Sequence, residues 1–138
     1  MGALGVTLTI KAHVGFIVDT PEKLIWLLRE VNHPALQAVY DYSHFQLAGR
    51  SLDESLRAVA PHTKFIHVKD TMRTATGHEF LLPGAAGDID YGHYFSVLRD
   101  LAYAGPVVVE VSTHVFSKPG YDPIAAAKRA YRALAPHI

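Results

Sequence analysis

The chain has 138 residues, 49% hydrophobic and 19% charged, the usage of one globular domain rather than of a disordered, collagen-like or coiled-coil chain. Lysine plus arginine and aspartate plus glutamate stand at 13 each, so no net charge favours nucleic acid or an anionic membrane as partner, and the lack of cysteine excludes disulfides and thiolate chemistry. The nine histidines are the compositional oddity.

No stretch is long and apolar enough to span a bilayer, and the start Met1-Gly2-Ala3-Leu4-Gly5-Val6 lacks the basic region and apolar length of a leader, so a cytoplasmic protein is expected. Gly2 is not read as a lipidation site, because Val6 stands where that motif needs serine or threonine.

Apolar, β-branched runs alternate four times with amphipathic stretches, as a parallel α/β sheet requires. Residues 6–12 are the first run. Thr20 then caps a helix with Pro21 at its first position, and Leu24, Leu27, Leu28 and Val31 share one face. The second run, 36–42, is followed by Ser51 and Glu54 in capping-box spacing and by Leu52, Leu56 and Val59, before Pro61 ends that helix. The third run, 64–68, leads into a long loop with Gly77, Pro83, Gly84 and Gly87. Tyr94, Phe95, Leu98, Leu101 and Ala102 then mark a helix that stops near Gly105-Pro106. The fourth run, 106–111, passes through a polar loop to Asp122, which caps an alanine-rich helix over 123–134. No linker interrupts the series, so residues 1–138 are expected to form one domain of four βα units. An eight-unit barrel takes roughly 250 residues, which makes four units half a barrel with helices on the outer face. The alternative is a small doubly wound sheet of the flavodoxin type, although no phosphate-binding glycine turn follows the first strand.

Each apolar run ends on an ionisable residue: Lys11, Asp41, His67 and Glu110. Alternation along a strand places Thr9, Val39, Phe65 and Val108 on the same face, one layer below. The carboxyl ends of parallel strands are where α/β folds bind ligands, so four such residues in register predict a polar cluster. Asp41, His67 and Glu110 form a donor set suited to manganese, magnesium, cobalt or zinc. Taken singly, Asp41 reads as a loop cap, His67 as a core histidine and Glu110 as an ion-pair partner of Lys11. His44 follows Asp41 by three residues, and Asp70 follows His67 by three, placed either to orient a ligand from behind or to cap the next loop. His13 shares the face of Lys11, and His13 and His44 read equally as substrate contacts or solvated loop histidines. His33, His62, His78, His93 and His137 have no partner spacing, and His114 is a weak candidate.

Four segments, Val-Tyr-Asp41-Tyr-Ser-His44, Phe-Ile-His67-Val-Lys69-Asp70, Gly87-Asp88-Ile89-Asp90-Tyr91 and Gly105-Pro106-Val-Val-Val-Glu110, occur in an order that resembles the C-terminal half of the xylose isomerase-like (β/α)8, or TIM, barrels. That superfamily comprises sugar phosphate isomerases and epimerases. The resemblance covers nearly the whole chain. It implies a small-molecule sugar or sugar phosphate as substrate, a divalent ion held by Asp41, His67 and Glu110, His44 as a substrate contact and Arg73 as another. It also implies catalysis by two glutamates, Glu110 among them, passing a proton through a metal-held enediolate.

The chain departs from the family pattern where a ligating glutamate is expected in a Glu-Pro-His-like context, because it carries Lys11-Ala12-His13. Lys11 is then a neutral catalytic base, or a charged partner of Glu110 or Asp41 that binds an anionic substrate without metal, or the mark of lost activity. The glycine segment at 84–87 is longer than the family's and lacks its acid. The first four strands of the barrel are missing, so pairing with an N-terminal half-barrel, self-association or membership of a longer protein is expected. The leading expectation is an isomerase or epimerase, with a polyol or keto-acid dehydratase as the variant within the superfamily and an inert half-barrel serving ligand binding or assembly as the alternative. An abasic-site endonuclease of the same fold would need more metal ligands and a basic face.

Overall fold

The structure, a computed structural model, describes residues 5–138, and the readings made on Met1 to Leu4, Gly2 included, lie outside it. Four parallel strands, β1 (Leu8–Lys11), β2 (Leu36–Asp41), β3 (Thr63–Val68) and a later one at Val107–Val109, lie side by side in chain order. A doubly wound sheet reverses its strand order at a switch point, and none occurs among the described residues. Sequential order with a helix after each strand is the winding of a barrel, and this is four units of one.

Local chemistry explains the helices. Thr20 Oγ1 accepts the Lys23 N–H at 3.4 Å to start α1 (Pro21–Val31), which closes on Asn32 in the left-handed region at φ 43°. A short α2 (Tyr42–Leu47) follows β2 directly, and α3 (Leu52–Val59) begins on Ser51, whose Oγ accepts the Glu54 N–H at 3.3 Å. Between β3 and the next helix, an antiparallel hairpin forms from β4 (Asp70–Thr74) and β5 (Gly77–Leu81). Asp90 caps α4 (Tyr91–Asp100), and β6 (Val107–Val109) leads through a single turn, α5 (Thr113–Phe116), to α6 (Pro123–Leu134), capped by Asp122. Among the described residues no helix is long and apolar enough to cross a membrane.

Alternation along the strands sorts the two faces. Ala38, Tyr40, Ile66 and Val68 are buried in a core with Leu24, Leu56, Val59, Tyr94 and Leu98 from the helices. The Tyr40 hydroxyl meets Ser55 Oγ at 2.8 Å, which satisfies the polar end of the largest of these strand residues. The opposite face carries the strand-end ionisable groups and beneath them Thr9, Val39, Phe65 and Val108.

Two expectations need correction. The second strand stops at Asp41 rather than at residue 42, because the Asp41 carboxylate accepts the Ser43 N–H at 3.2 Å and turns the chain into α2. The long loop after β3 is partly the β4–β5 hairpin, whose two-residue turn, Ala75-Thr76, has none of the glycine or asparagine pairs that announce such turns.

Candidate active site at the carboxyl ends of the strands

The ends of β1, β2, β3 and β6 bring Lys11, Asp41, His67 and Glu110 together. Lys11 Nζ donates to Glu110 Oε2 at 2.6 Å and lies 3.4 Å from both Asp41 Oδ2 and His67 Nδ1. His67 Nδ1 is in turn 3.2 Å from Glu110 Oε2. A second ammonium completes the cluster: Lys69 Nζ donates to Glu110 Oε2 at 2.6 Å, forms a short bond to Asp41 Oδ2 and lies 3.5 Å from His44 Nε2. Lys69 is only 2% exposed, and its Nζ stands 4.7 Å from the centroid of the Phe80 ring on β5.

Two carboxylates therefore face two ammoniums, and the cluster balances its own charge. Half-burial would push the Glu110 carboxyl up, but the hydrogen bonds from His67, Lys11 and Lys69 outweigh it and hold the group well below the usual carboxylate range. Asp41 is buried and saturated: the Ser43 N–H and hydroxyl donate to Oδ1, and the two ammoniums to Oδ2.

His44 forms part of this floor. The Val14 N–H donates to its Nδ1 at 3.3 Å, which leaves the ring hydrogen to Nε2, 3.6 Å from Asp41 Oδ2. Burial pulls its pKa down to about 3 against the attraction of Asp41, so the ring is neutral. His13 Nδ1 donates to the Lys11 carbonyl at 3.0 Å, and its ring packs 4.5 Å from that of His44. A cavity of about 330 Å³ opens above, lined by His13, His44, Lys69, Phe80, Glu110 and His114 among others, a volume within the range of small-molecule sites. A larger cleft of about 500 Å³ at the amino ends of β2 and β3 holds Arg29, His33 and His62 but no carboxylate and no buried polar side chain. Barrels of this winding place their chemistry at the other end.

Two further residues named from the sequence hold contacts of their own. Asp70 is buried, but its Oδ2 accepts the Ala86 and Gly87 N–H groups at 2.9 and 3.4 Å, and its Oδ1 accepts the Tyr91 hydroxyl at 2.7 Å. It fixes the glycine loop and the start of α4, the loop-capping role read from the sequence. Arg73 is exposed on β4, where the hairpin carries it, and donates to the Leu47 carbonyl at 2.5 Å. Lys69 and Phe80 are the participants sequence reasoning missed. Lys69 continues the Phe65, His67 alternation by one step, a signal that was available, whereas Phe80 enters only through the hairpin.

One donor atom each from Asp41, His67 and Glu110 lies within 4.8 Å of the others, a spacing one ion could bridge. The residues present do not fit such an ion. Lys11 Nζ already contacts one donor atom of all three, every acceptor position of Asp41 is taken, and a divalent charge would add to a balanced cluster.

Solved structures show the same architecture. The 3-keto-D-glucoside 4-epimerase YcjR from E. coli superposes with a TM-score of 0.75 at 17% identity, covering 98% of this chain and 48% of that one. A xylose isomerase-like TIM barrel protein from Mycobacterium smegmatis, solved in complex with magnesium, gives 0.69 at 20% identity over 98% of this chain and 44% of its own. In sequence, inosose dehydratase from Geobacillus kaustophilus is 26% identical over 147 residues, 96% of this chain and 45% of that protein. The chain thus spans less than half the length of these relatives. The sequence pattern of the xylose isomerase-like TIM barrel matches residues 2–137, and the chain belongs to that family.

Proposed function

We propose that the chain is the C-terminal half of a sugar isomerase or epimerase that moves a proton on the carbon beside a carbonyl, its substrate a ketose or ketose phosphate, with the remaining half supplied by an N-terminal half-barrel or a second copy. The observation that supports this reading is the convergence of Lys11, Asp41, His67, Lys69 and Glu110 under one cavity at the strand ends. Glu110, on the cavity wall, takes the proton. Lys11 and Lys69 meet the negative charge that develops on the substrate oxygen, the role of preorganised donors in enolisation. As an ammonium turns from Glu110 Oε2 to that oxygen, the carboxylate loses a hydrogen bond and becomes a stronger base when one is required. His13 and His44 line the same cavity and contact the substrate hydroxyls.

The test is deuterium incorporation. Full-length protein incubated in D2O with a panel of ketoses and their phosphates is expected to exchange the hydrogen beside the carbonyl, followed by NMR, and Glu110→Gln to lower the rate at least 100-fold. Folded protein that exchanges none of the panel refutes the reading.

The self-satisfied charge cluster favours a second reading, an inert half-barrel that binds a ligand or assembles without turnover. Calorimetric binding of the same sugars, lost in Glu110→Ala but with no exchange in the wild type, would select it.

A further inference from the structure

In a family that includes a magnesium-bound member, the misfit between this donor set and a divalent ion has a specific origin. Lys11 Nζ touches one donor atom from each of Asp41, His67 and Glu110, at 3.4, 3.4 and 2.6 Å, and those three residues are the ones whose donors cluster closely enough for an ion. We infer that the Lys11 ammonium is a built-in cation that takes the place of the metal, so that this site works without one.

Charge argues for it. Asp41 and Glu110 carry two negative charges, and Lys11 and Lys69 two positive ones. A divalent ion would leave the half-buried cluster with two uncompensated positive charges. Replacing Lys11 by glutamate makes three carboxylates against one ammonium, a deficit that a divalent ion cancels, and adds the fourth protein ligand. Donor saturation argues for it independently. Asp41 already accepts four hydrogen bonds, so an ion could bind it only by displacing one of these donors, and at Oδ2 that donor is an ammonium. Lys11 is held in this position by the chain itself, since β1 ends on it and pairs with β2 in the register Lys11↔Val39, two residues short of Asp41 on the same face.

Titration of the full-length protein with manganese(II) chloride, read by electron paramagnetic resonance of the free ion, tests this without reference to turnover. The wild type is expected to show no site at the strand ends up to millimolar manganese, and Lys11→Glu to bind one equivalent at least 100-fold more tightly. Lys11→Gln, which removes the ammonium without adding a ligand, is expected to gain about tenfold and serves where the glutamate variant is poorly folded by circular dichroism. Stoichiometric manganese binding by the wild type that Asp41→Asn abolishes overturns the inference. Folded Lys11→Glu and Lys11→Gln proteins that gain no affinity also overturn it, because something other than Lys11 then keeps the ion out. Failure of deuterium exchange would count against the proposed reaction and leave the manganese result untouched.

Discussion

The most consequential single contact is between Lys69 and Asp41, each with about 1% of its side chain exposed. A buried ion pair adds little net stability when intact, yet removing one partner strands a charge where water cannot reach it. Lys69→Met is therefore expected to destabilise the fold by about 3–5 kcal/mol, with Lys69→Met/Asp41→Asn recovering part of that loss. Urea denaturation of the two single variants and the double gives the coupling, and additive losses would contradict the pairing. His44 sets a pH dependence of defined sign. The unfolded chain protonates this ring near its ordinary value of 6.5, whereas the folded one resists until about 3, so stability is complete above pH 6.5 and falls as pH drops toward 3. Between pH 7 and 5 this amounts to about 2 kcal/mol from a single buried histidine. His44→Gln should flatten that segment of the stability profile, and an unchanged slope would show that the acid sensitivity lies elsewhere.

At the scale of elements, the segment after β3 shows how one carboxylate organises a loop. Asp70 holds the 86–87 amides and the Tyr91 hydroxyl, and so ties the hairpin, the glycine loop and α4 together. Asp70→Ala leaves those donors without an acceptor and is expected to cost about 3 kcal/mol, with little change in sugar affinity at the strand ends. Gly84 in the same loop has φ +74°, and a Cβ there would meet Ala133 Cβ of α6 at 2.9 Å, so Gly84→Ala should cost about 1–3 kcal/mol through strain and overpacking. Thermal denaturation checks both. The same loop marks the limit of what was legible in the sequence. Caps at Thr20, Ser51 and Asp122 and the ionisable residues Lys11, Asp41, His67 and Glu110 at or beside the strand ends depend on contacts a few residues long or on simple alternation, and they could be read directly. The roles of Asp70 and Arg73 depend on where an unannounced hairpin turns, since its Ala75-Thr76 turn carries no local signal. Lys69 lay within reach of the alternation argument, but burial of its ammonium follows only from the hairpin that places Phe80 against it.

For the whole molecule, the sheet is open at both sides among the described residues, where β1 pairs only with β2 and β6 only with β3. Large apolar side chains are also left in solvent, with Trp26 58% exposed on α1, Val108 41% on β6 and Tyr131 69% on α6. Val108 lies on the inward face one layer below Glu110, where a closed barrel would pack it against strands from the other half. Open edges together with apolar surface favour association of the isolated chain. Light scattering on residues 1–138 alone is expected to give a dimer or larger mass, and Val108→Lys to reduce it by placing charge on the face that would otherwise be buried. In a protein whose barrel is completed by an N-terminal half, the same Val108→Lys has the opposite consequence. It puts an unpaired ammonium into the closed interior and should lower stability by several kcal/mol. The sign of that one substitution separates the two ways of completing the site: gain of monomer in the isolated chain, loss of fold in the closed barrel. A stable, well-folded monomer of the unmodified 138-residue chain would remove the need for either.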